Sequence, residues 1–217
     1  YYGYARQDRK DQPRVAISAK LVAYLISAAG VDRVLGMDFH THQIQGFFDE
    51  PVDHLYAAPV LTGYFRKKGL EDLTVVAPDV GAAKMARGYA RRLDAPIAII
   101  DKRRPQANVA EVLTVVGEVE GRRCLIVDDM IDTAGTLRGV VDVLHERGAK
   151  EIYAAATHAV LSGPAVERLQ DSPLIEVVVT NTLLVPEEKR FPKLTVLSIA
   201  ELLSRAIRYT HSNESIS

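Results

Sequence analysis

Four short apolar runs in this sequence each stop at a cluster of polar or charged residues, and that repeated join constrains the fold more than any other feature. RVLGM runs into DFHTHQIQ, LTVVA into PDVG, IAII into DKRRPQAN and CLIV into DDMIDTAGT. Segments with apolar residues at helical spacing accompany them. Residues 18–29 place Val22, Leu25, Ile26 and Ala29 on one face with Gly30 ending the pattern, residues 82–93 form a second such segment, and Leu137, Val140, Val141 and Leu144 mark a third. Strands alternating with helices of this length require crossover connections, so the spacing predicts an α/β fold with mostly parallel sheets. Ligands in such sheets bind beyond the carboxyl ends of the strands, which is where DFH, PDVG, DKRR and DDMIDTAGT fall.

The predicted strands cover residues 33–37, 73–77, 97–100, 124–127, 152–157, 175–180 and 194–197. Ser162-Gly163-Pro164 is expected to open a short helix by a cap and an early proline, and Ser198 with Glu201 reads as a capping box before LLSRAI. YYGYARQDRK reads as the end of a buried strand passing into a polar loop, with Tyr1, Tyr2 and Tyr4 used in packing. The prolines at 51 and 59 bracket a stretch that accommodates a domain boundary.

Composition narrows the function classes. A chain of 217 residues with 47% hydrophobic residues can bury one large core or two small ones. No run approaches the roughly 18 apolar residues of a membrane span, and the opening residues lack the charge order of a signal peptide. A formal net charge of -1 argues against general nucleic-acid binding. Basic clusters at residues 6–14 and 102–104 keep small anionic ligands open. The single cysteine, Cys124, permits no intrachain disulfide and favours a cytoplasmic location.

The acidic turn is the most informative stretch. Side chains alternate along a strand, so Asp128 and Asp129 are expected to point in roughly opposite directions at the sheet edge. Asp132 follows, and then Thr133, Ala134, Gly135 and Thr136 supply small side chains and backbone N–H groups where a helix begins. Such a turn suits a phosphate, held by amides, hydroxyls and the positive end of the helix. No Gly-Lys-Ser/Thr follows, so it is not a Walker A loop. Carboxylates beside a phosphate cradle need another partner, and the simplest is a polyol such as ribose, with or without a divalent cation.

DDMIDTAGT resembles the phosphoribosyl-binding loop shared by type I phosphoribosyltransferases and ribose-phosphate diphosphokinases. YARQDRKDQPRVAISAKLVA, DFHTHQIQGFFD, VAPDVGAAK, DKRRPQANVAEV and THAVLSGPA separate the two, because all resemble the diphosphokinases, and the resemblance spans essentially the whole chain. It implies two similar phosphoribosyltransferase-like domains, the first incomplete. Residues 1–59 would be the remainder of the N-terminal domain, 60–201 the phosphoribosyl-binding domain, and 202–217 a helix and tail packing toward the N-terminal domain. It further implies transfer of the β,γ-diphosphoryl group of ATP to the anomeric hydroxyl of ribose 5-phosphate, giving 5-phosphoribosyl 1-diphosphate and AMP. The implied cofactor is Mg2+, and the implied assembly is a homo-oligomer, commonly a hexamer.

The same resemblance distributes roles among residues. Asp128 and Asp129 would bind ribose hydroxyls, and Asp132, Thr133, Ala134, Gly135 and Thr136 would frame the 5-phosphate. Arg6 and Gln7 would contact ATP, and His40 its polyphosphate and metal. Asp79 would help position a second magnesium, and Lys102 and Arg104 would act from a flexible catalytic loop. Magnesium suits a collection of carboxylate, water and phosphate oxygens. His42 reads as a structural or surface histidine, and Arg103 as a solvated charge. The readings left in competition are a type I phosphoribosyltransferase and a non-catalytic regulatory homologue.

Overall fold

The computed structural model describes residues 1–10, 12–103, 112–212 and 214. The chain divides into two compact units, Tyr1–Ala57 and Ala58–Ser217. The division thus falls between Ala57 and Ala58 rather than between residues 59 and 60, and the C-terminal helix is grouped with the second unit.

The first unit holds helix α1 (Ser18–Ala28), strands β1 (Val34–Met37) and β2 (Val52–Leu55), and a 3-10 turn over His42–Phe47. Gly30, at φ 85°, closes α1 in the left-handed conformation that glycine adopts without a Cβ clash. β1 and β2 pair in parallel, Val34 opposite Val52 and Met37 opposite Leu55. β2 has no counterpart in the sequence reading, because VDHL mixes two polar residues into a four-residue run between prolines. The small core gathers Tyr2, Ala19, Ala23, Phe39, Ile44 and Phe48. Residues 1–10 form turns rather than the expected strand end. Tyr4 adopts φ 62° and the Gln7 N–H donates to its carbonyl at 2.9 Å, which turns the chain. Tyr2 is accordingly buried while Tyr4 is 63% exposed.

The second unit carries α2 (Ala58–Lys68), β3 (Leu73–Ala77), α3 (Ala83–Leu93), β4 (Ile97–Arg103), β5 (Val112–Val116), β6 (Arg123–Ile131), α4 (Gly135–Glu146), β7 (Glu151–Ala159), α5 (Ala165–Gln170), β8 (Glu176–Thr180), β9 (Leu194–Leu197) and α6 (Ala200–His211). Its seven strands run in the order β5-β4-β3-β6-β7-β8-β9. All neighbours are parallel except β4 and β5. The expected α/β fold with a mostly parallel sheet is therefore present. Every residue of β3 is buried, as expected of a central parallel strand covered on both faces. Full burial of side chains such as Val75, Ile126 and Val177 contributes about 1.5–3 kcal/mol each.

Three local readings need correction. α2 and β5 have no counterpart among the predicted elements. Pro59 interrupts the helical period of α2, whereas β5, VLTVV, is a β-favouring run that the sequence reading passed over. The cap roles of Ser162 and Ser198 also differ. Pro164 occupies the N-cap of α5, and the Ser162 hydroxyl donates instead to the Asp132 carboxylate. Ile199 occupies the N-cap of α6, one residue later than expected, while the Ser198 hydroxyl oxygen still accepts the Ala200 N–H at 3.2 Å, the serine part of the expected cap. The Ile199 N–H is taken by the Asn181 side-chain oxygen at 3.0 Å, which places the start of α6 against the end of β8.

Candidate active site

β6 continues past Val127 to Ile131, so Asp128 and Asp129 lie within the strand rather than after it. The equally long β7 supports the extension, with Asp128 opposite Ala156 and Met130 opposite His158. Asp129 is buried and Asp128 partly buried. The expectation of opposed carboxyls does not hold at the carboxyl groups themselves. Asp128 folds back so that its Oδ1 accepts the Asp129 N–H at 2.9 Å. Burial pushes the Asp128 carboxyl well above the usual carboxylate range, and the charge of Asp129 and a hydrogen bond to its side chain push it further. The charge of Asp79, at the exit of the adjacent β3, adds to the same shift. Two acidic turns distant in sequence are thus brought together because β3 and β6 are neighbours.

Beyond Ile131 the chain presents the remaining residues of the turn. Thr133, Gly135 and Thr136 are exposed, and Ala134 is buried with φ 57° immediately before α4. The first N–H groups of a helix have no acceptor within it, so those opening α4 face an accessible, hydroxyl-lined position. Asp79 also orders its own turn, its Oδ1 accepting the Ala82 N–H at 2.9 Å. Among the described residues no group of three or more His, Cys, Asp or Glu forms a ready-made metal cage. The Asp79 charge acts on Asp128, and magnesium needs no complete protein cage, since it keeps several waters and takes further ligands from substrate phosphates.

Lys102 was expected in a loop after the 97–100 strand. It lies instead inside β4, opposite Leu113 of the antiparallel β5. The hairpin pairing extends the strand through charged residues that have no apolar signature. Arg104 lies outside the described residues.

In the first unit, Arg6, Gln7 and His40 are all exposed. Two buried or half-buried groups that the sequence did not reveal hold their segments. Asp8, 8% exposed, accepts hydrogen bonds from the Thr41 hydroxyl and the Gln43 amide, both at 2.9 Å. It therefore ties the Arg6–Gln7 turn to the segment following His40. His54, on β2, accepts the Phe39 N–H through Nε2 at 3.0 Å and so fixes the peptide preceding His40. His42 is exposed and packs at the surface, its ring 5.2 Å from His54 and its Nδ1 3.3 Å from the Tyr56 hydroxyl.

Burial, aided by the neighbouring His42, lowers the His54 pKa from 6.5 to about 4. A neutral folded histidine favours the native state above pH 6.5, and that contribution is lost as the pH falls from 6.5 to about 4. With its half-exposed ring discounted for solvent screening, the expected loss is about 1–2 kcal/mol. His54→Gln keeps an acceptor for Phe39 but cannot titrate there. Its urea denaturation, followed by tyrosine fluorescence at pH 7 and pH 4.5, should show a smaller acid loss than the parent chain. Equal losses would remove His54 from the account.

Known proteins resolve the family. A family model described as the phosphoribosyl synthetase-associated domain matches residues 104–217, and one described as the N-terminal domain of ribose phosphate pyrophosphokinase matches residues 1–30. The chain is 58% identical to a ribose-phosphate pyrophosphokinase of Synechococcus elongatus, over all of this chain and 66% of that protein. It is 56% identical to one of Caldanaerobacter subterraneus, over all of this chain and 69% of that protein. The chain belongs to the ribose-phosphate pyrophosphokinase family.

A crystal structure of phosphoribosylpyrophosphate synthetase from Mycobacterium smegmatis agrees with a TM-score of 0.92 at 50% identity, covering 98% of this chain and 70% of that one. The chain thus spans about two thirds of the length of the pyrophosphokinases it matches. Among the described residues no helix is long and apolar enough to cross a membrane. Within the family frame, Asp8 and His54 lie inside matched sequence, but a single sequence cannot distinguish them from ordinary turn and strand residues. Only their burial and partners do so.

Proposed function

We propose that this member of the pyrophosphokinase family takes part in direct diphosphoryl transfer from ATP to ribose 5-phosphate, giving 5-phosphoribosyl 1-diphosphate and AMP. The observation that carries this reading is the adjacent Asp128 and Asp129 near the end of β6, the Asp128 Oδ1 accepting the Asp129 N–H at 2.9 Å, followed by a turn whose Thr133, Gly135 and Thr136 are exposed at the start of α4. Acid groups for sugar hydroxyls adjoin amides and hydroxyls for a phosphate, as a phosphorylated sugar requires.

In this mechanism Asp128 and Asp129 accept hydrogen bonds from the ribose hydroxyls. Asp132, Thr133, Ala134, Gly135 and Thr136 surround the 5-phosphate. The anomeric hydroxyl attacks the β-phosphorus of ATP, the bond from that phosphorus to the α-phosphate bridging oxygen breaks, the hydroxyl proton passes to solvent, and AMP departs carrying the bridging oxygen. Lys102 and Arg104 neutralise charge developing on the transferred group, the one as a compact ammonium and the other as a planar fork. Arg6, Gln7 and His40 bind the nucleotide and its polyphosphate. His40 would contact the magnesium carried by the ATP polyphosphate, and Asp79 would help position a second magnesium near ribose 5-phosphate, each ion neutralising phosphate charge. The protein is proposed to work in the cytoplasm as a homo-oligomer, hexameric after the family habit.

ATP labelled in its γ-phosphate is expected to deliver that label to a diphosphorylated sugar, with AMP formed in equal amount. ADP as the nucleotide product, or label appearing only as free phosphate, would exclude the mechanism. AMP formation that depends on ATP separates it from a phosphoribosyltransferase, and intact substrate binding without AMP would indicate a regulatory homologue.

A further inference from the structure

The turn proposed to receive the 5-phosphate contains a conformation that its own residues do not favour. Ala134 stands at φ 57°, a left-handed geometry that costs a non-glycine residue about 1–2 kcal/mol. Such a conformation persists only when its surroundings determine it. The surroundings here are one segment, running from the end of β7 into α5, which engages three consecutive carbonyls of the turn. The Leu161 N–H donates to the Ile131 carbonyl at 3.0 Å and the Ser162 N–H to the Asp132 carbonyl at 3.0 Å. Arg168 Nη1 donates to the Thr133 carbonyl at 2.8 Å. The Ser162 hydroxyl, donating to the Asp132 carboxylate, adds a fourth tie.

In a trans peptide the C=O and the following N–H point in opposite directions. Fastening the carbonyls of Ile131, Asp132 and Thr133 to one side therefore turns the amides of Asp132, Thr133 and Ala134 to the other. A Cβ at Gly135 would stand in ordinary contact, 3.4 Å from Arg168 Nη1, so the guanidinium lies against the first residue of α4.

We infer that Arg168, seconded by Ser162, is a positioning residue for the sugar phosphate. It presets the amides of the turn through the Thr133 carbonyl, so that binding need not order them. The inference deepens the proposed function and rests on it, because the ligand is the phosphate of ribose 5-phosphate.

Calorimetric binding of ribose 5-phosphate and steady-state AMP formation test it with the protein, Arg168→Ala, Arg168→Lys and Ser162→Ala. Loss of one charge-assisted hydrogen bond is expected to weaken ribose 5-phosphate binding about 10-fold in Arg168→Ala. KM for ATP should stay within about 2-fold, since no nucleotide-binding role falls on this segment. Arg168→Lys, which can still donate to Thr133, should recover part of the loss. Ser162→Ala should weaken the same ligand less, and inorganic phosphate used as the probe should follow the same order.

Unchanged ribose 5-phosphate affinity in Arg168→Ala would overturn the inference while leaving an active parent's function intact. Equal losses for both substrates accompanied by a fall in melting temperature would overturn it too, by assigning Arg168 to general stability. If the parent neither binds ribose 5-phosphate nor forms AMP, the proposed function falls, and the inference with it.

Discussion

Asp128→Asn is expected to lower turnover about 10- to 100-fold, the worth of one or two charge-assisted hydrogen bonds to a ribose hydroxyl, while making the ligand-free chain more stable. The two effects have one cause. Asp128 is pushed toward its protonated form by burial, by the Asp129 charge and by the Asp79 charge. An amide of the same shape removes the repulsion and can donate to Asp129, yet it offers the sugar only a neutral acceptor.

The pH dependence has a definite sign. An acid whose folded pKa lies above its unfolded value holds more protons when folded, so its contribution becomes less favourable as the pH rises from about 4 through the raised folded pKa. The melting temperature of the parent chain should therefore gain less than that of the variant between pH 4 and pH 8. A relief of about 1 kcal/mol corresponds to about 2–4 °C for a unit of this size. A variant that melts lower at pH 8, or turns over at the parental rate, would contradict the assignment of Asp128 to the sugar. Substrate and a divalent cation should narrow the difference in stability, because both satisfy the carboxylate that the variant lacks.

Gly36→Ala is expected to destabilise the chain by about 1–3 kcal/mol, the usual range for overpacking a filled core. A Cβ at Gly36 would lie 2.1 Å from Phe39 Cζ and within 2.8 Å of both ε carbons. The ring cannot simply retreat. It meets Tyr2 edge-on at 5.6 Å and His54 at 4.9 Å, and its own backbone N–H is held by His54. Displacing it shifts the peptide joined to His40, so KM for ATP should rise along with the loss of stability.

Urea denaturation followed by tyrosine fluorescence reads the stability directly, since the chain has nine tyrosines and no tryptophan to obscure them. Gly46→Ala is the control, because no atom lies within 4 Å of its added Cβ. Adding Phe39→Leu to Gly36→Ala should recover part of the loss by vacating ring volume. Equal behaviour of the Gly36 and Gly46 variants would show that the first unit accommodates the extra carbon elsewhere.

The legible parts of the fold share one property, namely that local composition and final environment agree. LTVVA, CLIV and the run before Thr180 are apolar because central parallel strands are covered on both faces, and each is a strand in the structure. The phosphate turn was legible for a related reason, since its small and hydroxyl residues must serve a backbone conformation and a ligand at once. β2 and the outer part of β4 lacked that agreement. They become strands because a partner lies beside them, as Arg103 pairs with Val112 and Asp53 with Leu35. A charged residue there reads locally as loop. α2 was hidden in the same way, its Pro59 suggesting a boundary where it in fact sits in the first turn of a helix.

The sequence by itself determined the α/β class, the chemical character of each strand exit and the resemblance that led to the family. These depend on residue type and on short spacings along one chain. The tertiary structure alone decided which exits meet and what holds them. Asp79 acts on Asp128 because β3 lies beside β6, Asp8 joins two turns across 33 residues, and Arg168 reaches the Thr133 carbonyl from 35 residues away. Strand order and side-chain reach are properties of three-dimensional packing, and no period in the sequence encodes them.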